Sequence, residues 1–334
     1  EVYVYNSHSH PYKETEFKSV KIIHCYDPEN KIGTVGQFVY DLNCSLDARK
    51  RKFDIILQLG YTSSSVWYSL HPKNAIVITN MDGLEWKRTK YSKKVQKALQ
   101  VAERLAIKKS AFLIADSIGI QKYIREKYQK ESTYIAYGAH NFDNPNPEIL
   151  KEYHVEEGNY NMIMARFEPE NNLDMVLEGV AMAEDIKPIL VIGNHNTKYG
   201  TYLKNKFEAY SNILFLGAVY NLDHLNNLRY YSNIYFHGHT VGGTNPSLLE
   251  AMASKALIAA HNNDFNKGVL KDNACYFSNA EEVKKILNTV KKIDNLQFVE
   301  NNYAAIASTF NWEKINEQYL QLFKQCLEGS SRRK

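Results

Sequence analysis

The residues best suited to chemistry stand together in HTVGGTNPSLLEAMASKALIA, residues 239–259. Gly242 and Gly243 would let the backbone approach a ligand closely. Asn245 and Pro246 suit an N-cap and a first helical position. Free amides at a helix start, together with the helix dipole, favour an anion such as a diphosphate. Here the amides near Thr244 and Asn245 would meet it, and Glu250, one turn further in, would accept hydrogen bonds from sugar hydroxyls. A plain tight turn followed by a surface carboxylate is the competing explanation.

A second anion-suited feature is Arg166, directly after an apolar run in NMIMARFEPENN. Arginine matches phosphate oxygens bidentately; an ion pair with Glu168 or Glu170 would be its alternative use. Carboxylates follow two further apolar runs. Asp82 and Glu85 lie in NMDGLEWKR (80–88), and Asp116 precedes Ser117. Such a carboxylate would orient or deprotonate an acceptor hydroxyl, although Asp82–Gly83 also reads as a turn pair. LGYTSSS (59–65) offers amides and hydroxyls. His237 and His239 flank Gly238 and are expected to line a cleft. His8 and His10 lack partners at ligand spacing, so no metal site is expected.

These residues need strand ends to position them. The first half carries strand candidates EVYVY (1–5), VKIIH (20–24), FDIILQ (53–58), AIVIT (75–79), AFLIA (111–115) and TYIA (133–136). Helical patterns lie between them, as around GQFVYDLNCSLDARK and YSKKVQKALQVAERLAIKK. NFDNPNPEILKEYHVEEGN (141–159) reads as a linker. The alternation then restarts with NMIMA (161–165), ILVI (189–192), NILF (212–215), IYF (234–236), ALIAA (256–260) and ACYF (274–277). Such alternation predicts parallel sheets covered on both faces. Two such halves make an α/β protein of two Rossmann-like domains facing a central cleft, with ligands at the carboxyl ends of strands. The expected boundaries are 1–140, a linker 141–159, 160–310, and a C-terminal helix 311–330 that crosses back to the first domain.

The motifs resemble glycosyltransferase family 4, the retaining GT-B enzymes. They are most similar to its bacterial rhamnosyltransferase-like branch in HGH-VGGTNPSLLEAMA, ARFEPENN, LGAVY (216–220), NMDGLEWKR and the closing NWEKINEQYL. The similarity runs over nearly the whole chain. It implies donor contacts from Arg166, Asn171, Gly242, Gly243, Thr244, Asn245 and Glu250, with Val219 and Tyr220 holding the base. A strand end packed into the core would account equally for Val219 and Tyr220. Two departures stand out. The family often carries a glutamate where Gly242 stands, and a lysine where Asn171 stands. Phosphate charge would then fall to Arg166 and the loop amides, and a deoxy sugar such as rhamnose would fit. The family opens with a strand and a Gly-Gly loop, whereas EVYVY resembles its second strand; a missing first strand–loop–helix is therefore expected.

The resemblance implies transfer of a sugar from a dTDP- or UDP-linked donor to a saccharide acceptor, lipid-linked, in surface polysaccharide synthesis. Asp82 and Arg166 would be catalytic; Asp82, Glu85 and Asp116 would form the acceptor side. No cofactor beyond the nucleotide-sugar substrate is expected. A sugar-nucleotide epimerase on the same fold and a non-catalytic nucleotide- or glycan-binding subunit remain as alternatives.

Bulk properties agree. The 334 residues suffice for two cores. Net charge of +4 is too weak to argue for nucleic acid. Residues 87–109 nevertheless hold nine Lys or Arg and one acid, Glu103. Val95, Leu99, Ala102 and Ala106 fall at helical spacing there, so a basic amphipathic helix on an anionic membrane face is one reading and a solvated face the other. Arg49, Lys50, Arg51 and Lys52 would add to it. Four scattered cysteines read as free buried thiols in a reducing compartment. The expected location is the cytoplasm, with peripheral contact at the inner face of the membrane.

Overall fold

The structure, a computed structural model, describes residues 1–88, 91–184 and 187–331. Its second half is built on a six-stranded, wholly parallel sheet. The strands are β8 (Asn161–Met164), β9 (Ile189–Ile192), β10 (Ile213–Gly217), β11 (Tyr235–His237), β12 (Ile258–His261) and β13 (Cys275–Phe277), in the order β10-β9-β8-β11-β12-β13. Every residue of β9 is buried, as a strand covered on both faces requires. Asparagines begin helix after helix in this half. The side chains of Asn221, Asn245, Asn263 and Asn279 each accept from an amide of the following turn, which satisfies donors that a helix start would leave open.

The first half carries two sheets. One is parallel and sequential, β4 (Ile55–Gln58), β5 (Ile76–Met81), β6 (Phe112–Ala115) and β7 (Thr133–Tyr134). The other joins β1 (Tyr3–Ser7) to β3 (Val20–Cys25) in parallel, with the two-residue β2 (Glu16–Phe17) antiparallel to β3. Purely parallel pairing was the expectation; β2 departs from it because a short hairpin needs no crossover helix.

All twelve strand candidates are strands, with no end shifted by more than two residues. Residues 141–159 are less of a loose connection than their composition suggests. Pro147–Tyr153 forms a 3-10 helix that buries Ile149 and Leu150. The closing helix, Trp312–Ser331, returns to the first half. Trp312 lies against Gly138, and Ala139 donates to the Phe310 carbonyl at 2.8 Å. Ile315, Leu322 and Cys326 of this helix share one core with Ile78 and Ile114 of the first half and with Met162 and Leu190 of the second. Cys25 and Cys326 are buried as expected; Cys44 and Cys275 are only half-buried, and all four are free thiols.

The basic helix corrects its sequence reading. Within Lys93–Lys109, Leu99, Ala102 and Ala106 are buried, the two alanines in the core of the first half, so this stripe is not available to a membrane. Val95 alone of the expected stripe is exposed. Glu103 is fully buried and accepts from Trp86 Nε1 at 2.9 Å, Tyr123 Oη at 2.7 Å, Tyr128 Oη at 2.5 Å and Lys127 Nζ at 3.0 Å. Lys93, Lys94, Lys97, Arg104, Lys108 and Lys109 point outward; Lys90, also among the nine basic residues, lies outside the described residues. In the second basic cluster Arg51 is engaged by Asp47 at 2.6 Å. Among the described residues, no helix is long and apolar enough to cross a membrane.

Candidate active site

Strand order reverses between β8 and β11, the place where open α/β sheets hold ligands. Arg166 follows β8, and the loop 238–245 follows β11. Arg166 is exposed; its carbonyl accepts from the Asn171 amide side chain at 2.8 Å. Asn171 is thereby turned inward and buried. The loop ends as anticipated, with Asn245 Oδ1 accepting from the Ser247 amide at 2.9 Å and Pro246 in the first turn. Gly242 has φ +142°, a conformation suited to glycine.

Glu250 does not stand as a lone surface carboxylate. Its Oε2 accepts from Arg229 Nη2 at 2.6 Å, and Arg229 is wholly buried. Arg229 also contacts Met164 Sδ and Asn226. Nothing in NLRYY distinguishes Arg229 from any other helix arginine, so the sequence reading missed it; the contact joins residues 21 apart on different helices. Val219 packs against the core, whereas Tyr220 is 89% exposed.

Across the cleft, Asp82 and Asp116 directly follow Met81 and Ala115, partners in the β5–β6 ladder, so the two carboxyls are neighbours. Burial pushes the Asp82 carboxyl up to about 6, with Glu85 adding to the effect. Burial, then the charge of Asp82, pushes Asp116 up to about 8, against some relief from the backbone amides of Asp116 and Thr244. Neither Asp116 oxygen has a well-formed hydrogen bond. Glu85 is held in an ion pair with Arg88 at 2.7 Å. Within LGYTSSS, Tyr61, Ser63 and Ser65 are buried while Leu59 is exposed, and Tyr61 donates to the Gly83 carbonyl at 3.0 Å.

The two halves meet at these residues. Thr244 Oγ1 donates to the Asp116 carbonyl. A Cβ on Gly243 would stand 1.9 Å from both Asp116 carboxyl oxygens, and one on Gly83 would lie 3.7 Å from Gly242 Cα. A small open recess beside the loop is lined by His239, Val241, Gly243 and Asn266 among others.

His237 and His239 stack at 4.3 Å and 15°. His237 is completely buried, deeper than a cleft-lining residue, with neither ring nitrogen hydrogen-bonded. Burial holds its pKa well below the ordinary range, and His239 falls to about 4, first through burial and then through the charges of Arg166 and Arg88. Both imidazoles are neutral. Among the described residues no three His, Cys, Asp or Glu side chains are grouped to hold a metal ion.

Two α/β lobes meet at a glycine-containing loop beside a topological switch point. Residues 146–324 match the family described as glycosyl transferases group 1, and the chain belongs to that family. Residues 5–140 match a domain of unknown function, DUF1972. A comparison with curated proteins finds no match. Solved structures share the fold. HepE from Anabaena, in complex with UDP and glucose, is 15% identical, with 92% of this chain and 87% of that chain covered and a TM-score of 0.75. Sucrose-phosphate synthase from Thermosynechococcus elongatus is 14% identical, with 98% and 89% covered and a TM-score of 0.79. A variant of TarM from S. aureus, in complex with fondaparinux, alpha-GlcNAc-glycerol and UDP, is 15% identical, with 86% and 58% covered and a TM-score of 0.64. The fold is GT-B.

Proposed function

We propose that this glycosyltransferase moves a sugar from a UDP- or dTDP-linked donor to a saccharide acceptor with retention at the anomeric carbon. The observation that carries the reading is the pairing of Arg166 with the 238–245 loop on the two sides of the β8/β11 switch point. In this reading the diphosphate lies against Arg166 and the loop amides, and Glu250, oriented by Arg229, accepts from hydroxyls of the donor. Asn171 and the Val219–Tyr220 segment lie on the donor side; Asn171 acts by fixing the Arg166 backbone.

Asp82 orients the acceptor hydroxyl. With a pKa of about 6 it is mostly ionised at neutral pH, while Asp116, at about 8, mostly keeps its proton and can donate. As the bond from anomeric carbon to phosphate oxygen breaks, the acceptor oxygen bonds to that carbon from the same face. Its proton passes to the departing diphosphate, whose charge Arg166 stabilises. Glu250 is tied to Arg229 and is not a nucleophile, which favours this front-side course over a covalent intermediate. A deoxy sugar such as rhamnose as donor, and a lipid-linked acceptor at an anionic membrane, extend the reading. The six outward basic residues of the Lys93–Lys109 helix are what would meet that surface.

The test is turnover of UDP- and dTDP-sugars with and without saccharide acceptors, following nucleotide release and product configuration by NMR. Acceptor-dependent transfer with retention is expected. Inversion would remove the front-side course. Acceptor-independent turnover would favour the epimerase reading, and nucleotide binding without turnover a non-catalytic subunit. Arg166→Ala should lower turnover by about 100-fold or more, the scale of losing a charge stabiliser at the leaving group; unchanged turnover would take Arg166 out of the mechanism.

A further inference from the structure

A diphosphate brings more than one negative charge, and the donor half presents one obvious partner for it. The position five residues after Arg166 holds Asn171, whose amide is 3% exposed and committed to the Arg166 carbonyl at 2.8 Å. The second cation has to come from elsewhere. Arg229 sits nearby but is occupied by Glu250.

Arg88 stands on the other wall. It ends the turn Glu85–Lys87 after β5. That turn is fixed at both ends: Trp86 donates to the buried Glu103, and Glu85 binds the Arg88 guanidinium through Nε and Nη2 at one oxygen. A guanidinium has five N–H donors in a planar fork, so this contact orients Arg88 without exhausting it. Its side chain is only 16% exposed. Gly83, in the same loop, lies against Gly242 of the donor loop. The positive charges of both Arg88 and Arg166 act on His239. The stacked imidazoles stand at the end of β11, with His237 Nδ1, His237 Nε2 and His239 Nδ1 buried and unpartnered. Unsatisfied buried nitrogens in a polar recess mark a place where hydrogen-bonding partners are missing.

We propose that Arg88 is a donor-binding residue, closing from the opposite lobe onto a nucleoside diphosphate held by Arg166, with the His237–His239 pair as a neutral floor beneath the two guanidiniums. The inference rests on the donor site proposed above.

The experiment is calorimetric titration with UDP, UMP, dTDP and dTMP on the wild type, R88A, R88K and R166A. Wild type is expected to prefer the diphosphates. R88A should weaken diphosphate binding by about tenfold or more, the scale of a lost charge-assisted contact, while monophosphate binding changes little. R88K, which keeps the charge but loses the fork, should fall between them. If R88A fails to fold, R88Q gives the same reading with the stem retained. R88A or R88Q binding diphosphates as tightly as wild type overturns the inference and leaves the donor site intact. Wild type binding no nucleotide overturns both.

Discussion

Arg229 shows how much one unremarkable residue can decide. A guanidinium with no exposure needs a carboxylate, and Glu250 supplies it. Removing one partner of a buried ion pair costs roughly 3–5 kcal/mol. Glu250 is itself about one-third exposed, so the lower end applies. Glu250→Ala should therefore destabilise the protein by about 3 kcal/mol in denaturant unfolding, beyond any effect on catalysis. The double variant R229M/E250L should recover much of that loss. An E250A midpoint equal to wild type would mean that Arg229 is satisfied by Asn226 and its other neighbours alone. The sequence pointed to Glu250 because helix position and chemistry agreed, but the partner depends on packing between helices and leaves no local trace.

At the level of elements, the loop from Gly242 to Asn245 acts as a docking edge. Gly243 sits where any side chain would strike Asp116, so G243A should keep the lobes apart. Activity should drop by about tenfold or more with little change in the fold, since the clash is confined to the cleft. In a double-mutant cycle with D116A, the loss should shrink, because the obstructed carboxyl is gone. Additive losses would show that Gly243 matters for another reason. Strand positions were legible from apolar runs, and the asparagine before Pro246 announced its helix. Less legible was direction. The stripe Leu99, Ala102 and Ala106 has helical spacing whether it faces a bilayer or a core, and only the packing of the first half decides. The same holds for His237, expected at the cleft and found wholly buried beneath His239.

For the whole molecule, Asp116 is expected to couple stability to pH. Its ordinary value is 3.8 and burial between the lobes raises it to about 8. A carboxyl whose pKa is raised on folding keeps its proton over the interval between those values. Its contribution is complete below 3.8 and declines as pH climbs toward 8, since the unfolded chain then binds fewer protons. Unfolding free energy should thus fall with rising pH across this interval, and D116N should flatten the slope. A wild-type profile matching that of D116N would place Asp116 in contact with water, the lobes standing apart in solution. Asp82 adds a smaller effect of the same sign up to about 6.

One further consequence follows from Glu103. By turning its only acid inward, the Lys93–Lys109 helix leaves its outer face without an internal counter-charge. Salt bridges along that face cannot form from within the helix. The molecule thus carries an electrical handle on one lobe. In the field of any polyanion it turns before it touches, so orientation is selected during approach and weakens as salt shortens the reach of that field.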